Sequence, residues 1–408
     1  YTLAELVDFA LQSSPVTRLA WAQAMASAAQ WGQAHSAYYP TVSAEGQGAT
    51  GKIPQLQGGK SYVSMNTTLS YLLLDFGARG AKSEAARQAL IAANWNHNQA
   101  IQDILRNVPQ AYYTYTANKA QVRADEQSLK EAVTTVLSTE ERMRSGVSTI
   151  SDVLQARSNA DQVRLKLASD TGQVAISKGN LATAIGWPAN KQFDVAEGPG
   201  RLPIKEVGRN VDDLVELARV SRPALGAAVH AVSQAEAGLK QAKALPFPQL
   251  TGTGNFQWLA TKDEHGNFEY GGMGISIPIF DGFNMQNAVR AARAQLEAAR
   301  ASLKIQEENT VSEVWDAFHN YQTAQKQLVA SNSLFTSATE SFNASSARYK
   351  LGAADIVELL NAQSVLASAR AQVITSRTSI STSYAELLHA VGSTLPPAAS
   401  EGGNNAAE

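Results

Sequence analysis

The sequence predicts an α+β membrane protein that repeats a helix–helix–strand–strand–helix–helix plan twice in tandem. Three observations predict it: an internal repeat, two pairs of segments in which apolar and polar residues alternate, and long heptad patterns of apolar residues. No run of about 18 apolar residues is present, so a helix that crosses a membrane is not expected.

The internal repeat covers most of the chain. Residues 144–156 have their counterpart in residues 350–362, and the offset of 206 residues is the distance from Gly146 to Gly352. A chance match over this length is very unusual, so the two halves share one plan. The predicted parts are a first repeat at 1–192, a linker at 193–209, a second repeat at 210–392 and a disordered tail at 393–408.

The composition excludes several classes of function. The 408 residues include no cysteine, carry a formal net charge of −2 and are only 17% charged. Without cysteine there is no disulfide, thiolate metal site or cysteine nucleophile. A near-neutral chain also lacks the clustered basic excess that nucleic-acid binding needs, so no nucleic-acid partner is expected. Because the chain opens without Met or a signal peptide, we expect a mature or trimmed product.

Each repeat contains one predicted β-hairpin, at residues 41–74 and at 249–280. In the first, Val63, Met65 and Leu69 alternate with polar residues, and in the second Phe256 and Trp258 do the same. Such alternation predicts strands with one apolar and one polar face. Polar, Gly-rich stretches near 55–60 and 261–267 separate the strands, as expected in hairpins. Ile275, Ile277 and Ile279 are expected on one face of the last strand, and Tyr71, Phe256 and Trp258 on the lipid side or in an aromatic girdle.

Heptad patterns predict long paired helices after each hairpin. Apolar residues step by four and three from Ile101 to Val136, which is typical of a coiled-coil seam. Pro109 lies inside this seam and should kink the helix or destabilise it. The predicted helices are 78–144 and 149–185 in the first repeat and 284–350 and 355–390 in the second, preceded in the first repeat by Thr2–Gln12 and Val16–Ala37.

Four strands per chain cannot close a barrel, and an open sheet would leave two edges unpaired. A transmembrane barrel must close, because lipid offers backbone groups no hydrogen-bond partners. Three chains would supply twelve strands, an even number within the range of bacterial outer-membrane barrels. A helix over residues 78–144 would be roughly 100 Å long. It must therefore extend into an aqueous compartment, the periplasm.

The chain resembles the TolC family of outer-membrane efflux proteins across essentially its whole length. The resemblance rests on the duplication, on the strand-to-helix junctions at 74–77 and 280–282, and on two Arg-x-x-x-Gly turns at 142–146 and 348–352. It implies a homotrimeric tunnel with a twelve-stranded β-barrel in the outer membrane of a Gram-negative bacterium, in contact with its lipid. An α-helical coiled-coil barrel would continue it across the periplasm. The start of the chain is closer to the non-acylated type of the family.

The resemblance also implies two protein partners, a periplasmic adaptor and an inner-membrane transporter that supplies the energy. In the family the turns between the paired long helices dock the adaptor. Small residues at such turns let a partner hairpin approach the backbone closely. The two glycines are also compatible with a purely helix-ending role. The docking residues implied here are Gly146, Val147, Ser148 and Thr149 in the first turn, and Gly352, Ala353, Ala354 and Asp355 in the second.

The resemblance places an acidic ring at the narrow entrance just after the second turn. The matching positions are Glu358 and Asn361. Three copies of Glu358 would attract cations and repel one another. Because the family often has a second acid where this chain has Asn361, the ring should be weaker here. The alternative is helix capping, since Thr149 and Asp152, like Asp355 and Glu358, have the spacing of an N-terminal capping box.

The closed entrance of the family is held by links between neighbouring helices. Asp152 and Tyr349 match one such pair, an acceptor and a phenolic donor. The basic residue of a second link would fall at Ala354, so that link is missing and the entrance is expected to open more easily or to use another contact. The alternative for Tyr349 is an ordinary packed aromatic residue.

Enzymatic interpretations find little support. Residues 46–52 satisfy a dinucleotide Gly pattern and most of a phosphate-loop pattern, but Ile53 replaces the Ser or Thr and Pro54 blocks the helix that would bind phosphate. The six histidines never occur at i and i+4, so metal ligation is not indicated. We expect no catalytic residue, no metal and no cofactor. A periplasmic scaffold without a pore is a further alternative, but it would not need four strands with lipid-compatible faces.

The sequence is therefore interpreted as the outer-membrane channel of a tripartite efflux system. It would be a passive exit duct for drugs or other small toxic compounds, and multidrug resistance would be its biological effect. The alternative that stays open is the same architecture used as the exit duct of a type I protein secretion system.

Overall fold

The computed structural model describes residues 1–50, 61–196, 210–262 and 265–392. Within these ranges the helix–helix–strand–strand–helix–helix order occurs twice. A short 3-10 helix, Ser36–Tyr38, follows the second helix. The elements of the first half are α1 Leu3–Ser13, α2 Pro15–His35, β1 Thr41–Thr50, β2 Ser61–Leu74, α3 Ala78–Arg144 and α4 Ile150–Ile185. Those of the second half are α5 Val211–Ser221, α6 Pro223–Ala244, β3 Gln249–Thr261, β4 His265–Ser276, α7 Asn284–Lys350 and α8 Ile356–Val391.

Most element boundaries agree with the sequence pattern, and the exceptions have local causes. The long helices α3 and α7 have the predicted bounds, whereas α4 and α8 begin one residue later because Thr149 and Asp355 are their N-caps. The last strand ends at Ser276 rather than near 280. Pro278, which has no N–H to donate to a ladder, lies two residues further on. The expectation that Ile277 and Ile279 belong to the strand is therefore wrong.

Four predicted segments fall wholly or partly outside the described residues. These are the stretch at 55–60, part of the stretch at 261–267, most of the linker at 193–209 and the tail at 393–408. The described start of the linker is not loose chain, because Phe193 and Val195 are buried in the core that α1, α3 and α4 form.

The described residues group into two compact units. The first, called the helical unit, comprises the described residues of Tyr1–Leu19, Asn98–Pro223 and Glu307–Glu408, and the second, called the sheet unit, comprises those of Ala20–His97 and Ala224–Gln306. The helical unit has one apolar core around Val108, Tyr112 and Leu181 and another around Val314 and Phe318. Helix α3 continues through Pro109, which is fully buried. No helix in the described ranges is long and apolar enough to cross a membrane.

The sheet unit contains an antiparallel sheet of order β1-β2-β3-β4, in which the β2–β3 pair joins the two halves of the chain. Laterally paired residues share a face, so Met65 lies on the same face as its partners Gly46 and Trp258. This face is largely apolar and also carries Tyr71 and Phe256, whereas the opposite face carries mainly Ser, Thr, Asn and Gln. Within the chain, β1 and β4 are the edge strands of this sheet.

Each of the two strand-to-helix junctions contains an aspartate that caps the helix. The Asp75 carboxylate accepts a hydrogen bond from the backbone N–H of Arg79 at 2.6 Å, and Asp281 accepts one from Met285 at 2.8 Å. Each aspartate therefore satisfies an N–H group at the start of a long helix. Phe76 (φ 51°) and Phe283 (φ 69°) adopt the left-handed conformation there, which is uncommon for a bulky residue. The junction motifs seen in the sequence therefore turn the chain sharply from strand into helix.

Candidate functional site

The candidate site consists of two hairpin tips in the helical unit. We call residues 139–159 the first tip and residues 345–363 the second tip. In the first, the Gly146 N–H donates to the Met143 carbonyl at 3.0 Å and the Val147 N–H donates to the Arg142 carbonyl at 2.9 Å. These are the two hydrogen bonds of a Schellman motif, and they recur at Gly352. Both glycines have positive φ, 74° and 76°. The helix-ending interpretation of both glycines is therefore confirmed.

Side-chain caps begin the return helices. The Thr149 side chain accepts from the Asp152 N–H, and the Asp152 carboxylate accepts from the Thr149 N–H at 2.8 Å, which completes a capping box. Backbone N–H donation from Thr149, followed by the hydroxyl of Ser148 at 2.9 Å, lowers the pKa of Asp152 below its ordinary value. In the second tip Asp355 accepts from the Glu358 N–H at 2.8 Å. The capping alternative is therefore confirmed for Thr149, Asp152 and Asp355.

Tyr349 is the centre of the contact between the two tips. Its side chain is 3% exposed, and its hydroxyl lies 3.0 Å from the hydroxyl of the fully buried Thr139. Arg142 donates to the Tyr349 carbonyl at 2.9 Å, and its guanidinium lies 4.8 Å from the centre of the Tyr349 ring. Hydrogen bonds and a cation–π contact from the first tip therefore hold one residue of the second.

The predicted hydrogen bond between Asp152 and Tyr349 is absent from the described residues. Asp152 is engaged by its own helix N-terminus, and the Tyr349 hydroxyl is engaged by Thr139. Helix capping joins residues that are close in the sequence, so it forms as soon as α4 forms. The cap occupies the Asp152 carboxylate oxygens that a hydrogen bond from the distant Tyr349 hydroxyl would need. Tyr349 nonetheless links the two tips, through a different partner.

Glu358 is not a free carboxylate. It accepts from the Arg348 guanidinium at 2.8 Å and from the Ser345 hydroxyl at 3.2 Å, and its side chain is 37% exposed. Arg348 also donates to the Ala353 carbonyl at 3.2 Å. An ion pair within the second tip therefore offsets part of the charge that Glu358 would present. Asn361, three residues on, is exposed.

The turns themselves expose apolar side chains. Val147 is 63% exposed and Leu351 is 84% exposed, whereas Ile356 at the start of α8 is buried. Gly146, Gly352 and Ala353 are also exposed. At both tips, a glycine without a side chain therefore lies beside an accessible apolar residue.

Sequence reasoning overlooked the parts played by Thr139, Arg142 and Arg348. Two of them carried a signal, because the arginines occupy the same place in the two Arg-x-x-x-Gly turns. Thr139 carried none, since its contact with Tyr349 joins residues 210 positions apart.

Comparison with known proteins shows the family of the chain. Residues 6–187 and 214–393 match the family described as outer membrane efflux protein. The chain belongs to this family. It is 28% identical over 400 residues to protein CyaE of Bordetella pertussis, covering 96% of this chain and 84% of that protein. Over 413 residues it is 26% identical to the probable efflux pump outer membrane protein TtgC of Pseudomonas putida, covering 96% and 82%.

The fold is that of solved outer-membrane channels. The crystal structure of the outer membrane protein VceC from Vibrio cholerae superposes with a TM-score of 0.84 at 21% identity, covering 96% of both chains. This fold confirms the predicted α+β class. The family confirms the efflux-channel function and the outer-membrane location with a periplasmic helical part. They do not assign roles to the residues of the tips.

The capping box makes the first tip sensitive to pH. A carboxyl group with a lowered pKa in the folded state stabilises that state above its unfolded pKa of about 3.9, and the effect is lost as pH falls through the folded value. Asp152→Asn should therefore loosen the start of α4 by about 0.3–1 kcal/mol at pH 7 and by much less near pH 2. Hydrogen exchange of peptides covering residues 147–156 measures this, with residues 353–362 as the internal control. An equal difference at both pH values would contradict the assignment.

Proposed function

We propose that the chain forms a homotrimeric, passive exit duct for small toxic compounds, which an inner-membrane pump delivers through a periplasmic adaptor. The observation that carries this proposal is the open sheet. Strands β1 and β4 leave one edge each without a partner among the described residues, and the sheet has one largely apolar face. Exposed edges of this kind are stable in lipid only when another strand pairs with them.

Closure by three chains follows from the strand order. Strands β1 to β4 alternate in direction, so β4 of one chain is antiparallel to β1 of the next. A ring of three such sheets has twelve strands and no free edge, as outer-membrane barrels require. The apolar face then meets lipid, and the Ser, Thr, Asn and Gln face lines the lumen.

The proposed cargo is small compounds, in keeping with the relatives whose names describe efflux pumps. The duct itself is passive, because the pump supplies the energy for transport. Export of a protein substrate by the same architecture is the alternative. Single-channel recording in a planar bilayer tests the duct directly: purified protein should give discrete, cation-selective current steps, and a protein that gives no current under any condition would contradict the proposal.

We place the adaptor contact at the exposed turns, Gly146 to Thr149 and Gly352 to Asp355. Support comes from the positive-φ glycines beside the exposed Val147 and Leu351, since a partner helix can approach the backbone there and bury both apolar side chains.

Replacing these two side chains tests the docking surface. Cells that carry Val147→Gln with Leu351→Gln should become nearly as drug-sensitive as a deletion strain, because the adaptor loses its apolar contact while the pore stays intact. Leu165→Gln, at another exposed apolar residue (73%), is the matched control. Minimum inhibitory concentrations measure the effect, and unchanged resistance in the double variant would refute docking at these turns.

We propose that Glu358 lines the narrow entrance and that its pairing with Arg348 weakens its pull on cations. Glu358→Gln should lower the cation-to-anion permeability ratio, whereas Arg348→Ala should raise it by freeing the carboxylate. Reversal potentials in a potassium chloride gradient give the ratio. Glu141→Gln, an exposed carboxylate that pairs with Arg144, is the control. Equal ratios in all variants would leave Glu358 a purely structural role.

We further propose that Thr139 and Arg142 hold Tyr349 when the entrance is closed. Tyr349→Phe keeps the ring but removes the hydroxyl contact, so the ratio of open to closed channels should rise about two- to tenfold, the worth of one hydrogen bond. Single-channel open probability measures this, with Tyr384→Phe as a control away from the tips. An unaltered open probability would eliminate this contact as a latch.

A further inference from the structure

The polar face of the sheet brings a carboxylate and an aromatic ring to the same level. Glu45 pairs with Asn66, Asn66 pairs with Gln257, and Gln257 pairs with Phe268. Paired residues share a face, so all four side chains form one row across β1 to β4. In the adjacent row on this face, Tyr270 is the residue from β4.

Two exposed aromatic rings on a polar face are unexpected. Phe268 is 61% exposed and Tyr270 is 54% exposed, and their ring centres lie 5.7 Å apart. The other residues of these two rows are hydrophilic: Glu45, Asn66 and Gln257 in one, and Ser43, Thr68 and Asn255 in the other. These two rings offer a solute adjacent π-faces on a mostly hydrophilic wall, on which Tyr62 of β2 is a further aromatic residue.

The charge at this level has one sign. Among the four described strands the acidic residues are Glu45 and Glu269, and Lys and Arg are absent from them. Glu269 pairs with Phe256 and so lies on the apolar face, which leaves Glu45 as the acidic residue of the polar face in these strands.

The same row contains an unused acceptor. The side-chain oxygen of Asn66 is buried and accepts no hydrogen bond from the described residues, while the Asn66 amide nitrogen lies 3.4 Å from the Thr68 hydroxyl. Because this oxygen is buried, a solute cannot reach it, and the accessible groups that favour a positively charged partner are the Glu45 carboxylate and the two aromatic rings.

We propose that Glu45, Phe268 and Tyr270 form a binding site for aromatic organic cations on the lumen wall of the barrel. The site rests on the proposed trimeric duct, because closure with the polar face inward is what turns this face into the lumen wall. Three chains repeat it three times around the barrel. Cations that carry an aromatic ring would stack on the two rings, while Glu45, three strand spacings or about 14 Å away in the same chain, would attract cations to this level of the barrel.

The face of the sheet on which Phe268 lies can be tested separately from cation binding. The chain contains no cysteine, so a single introduced thiol can be labelled. A single thiol introduced by Phe268→Cys should react rapidly with a charged, water-soluble maleimide in proteoliposomes. One introduced by Phe256→Cys on the opposite face should react slowly. Equal labelling rates at the two positions would overturn the assignment of Phe268 to the lumen.

Binding is tested by current block with three small probes. Benzyltrimethylammonium should block the channel more strongly than tetramethylammonium, which has no ring, and than benzenesulfonate, which has the opposite charge. Phe268→Ala with Tyr270→Ala should weaken block by benzyltrimethylammonium about tenfold and block by tetramethylammonium less, because tetramethylammonium makes cation–π contacts but has no ring to stack. Glu45→Gln should weaken block by both cations, and Phe256→Ala is the control on the lipid face.

The possible results distinguish a failure of the cation site from a failure of the proposed trimeric duct. Normal currents with the same block in every variant would overturn the cation site and leave the duct intact. No current in any variant, together with equal labelling at positions 256 and 268, would contradict the trimeric duct and the cation site with it.

Discussion

The unpaired backbone of the edge strands β1 and β4 is the constraint on which the rest of the structure depends. In water an open edge is tolerable, but in lipid each unpaired N–H and C=O group costs several kcal/mol. The chain carries a hairpin in each half and pairs the two hairpins at β2 and β3, and in the proposed trimer its two outer edges pair with neighbouring chains. The long helices continue from the two hairpins. Helix α3 follows β2 and α7 follows β4, at junctions where Asp75 and Asp281 accept hydrogen bonds from backbone N–H groups.

Because the chain is duplicated, its two tips share the same backbone hydrogen bonds, but their side chains make different contacts. Both end their first helix with a Schellman motif, and both place an arginine in its last turn. Arg142 reaches the other tip and holds Tyr349, whereas Arg348 stays within its own hairpin and pairs with Glu358. The first arginine therefore joins neighbouring hairpins, and the second tunes the charge at the proposed entrance.

Much of the fold could be predicted from the sequence because its signals are local. The bounds of α3 and α7 follow from Asp75 and Asp281 at their starts and from Gly146 and Gly352 beyond their ends. The alternation of Met65, Leu69, Phe256 and Trp258 assigned one face of the sheet correctly. The end of β4 was missed because the apolar alternation continues past Pro278, whose missing N–H outweighs the pattern.

The candidate site was less predictable because its decisive contacts join distant residues. Thr139 and Tyr349 are 210 positions apart, and no periodicity in either helix indicates their contact. The row from Glu45 to Phe268 likewise depends on the register of three strand pairs, and a slip by one residue would turn Phe268 to the other face.

The measurement that tests the central claim most directly is the native mass of the protein in detergent. Because sheet edges must pair, native mass spectrometry should find a particle of three times the chain mass of 43.4 kDa, stable to dilution. A folded monomer that retains its full β-sheet content by circular dichroism would contradict it, since such a chain would carry its two open edges unaided.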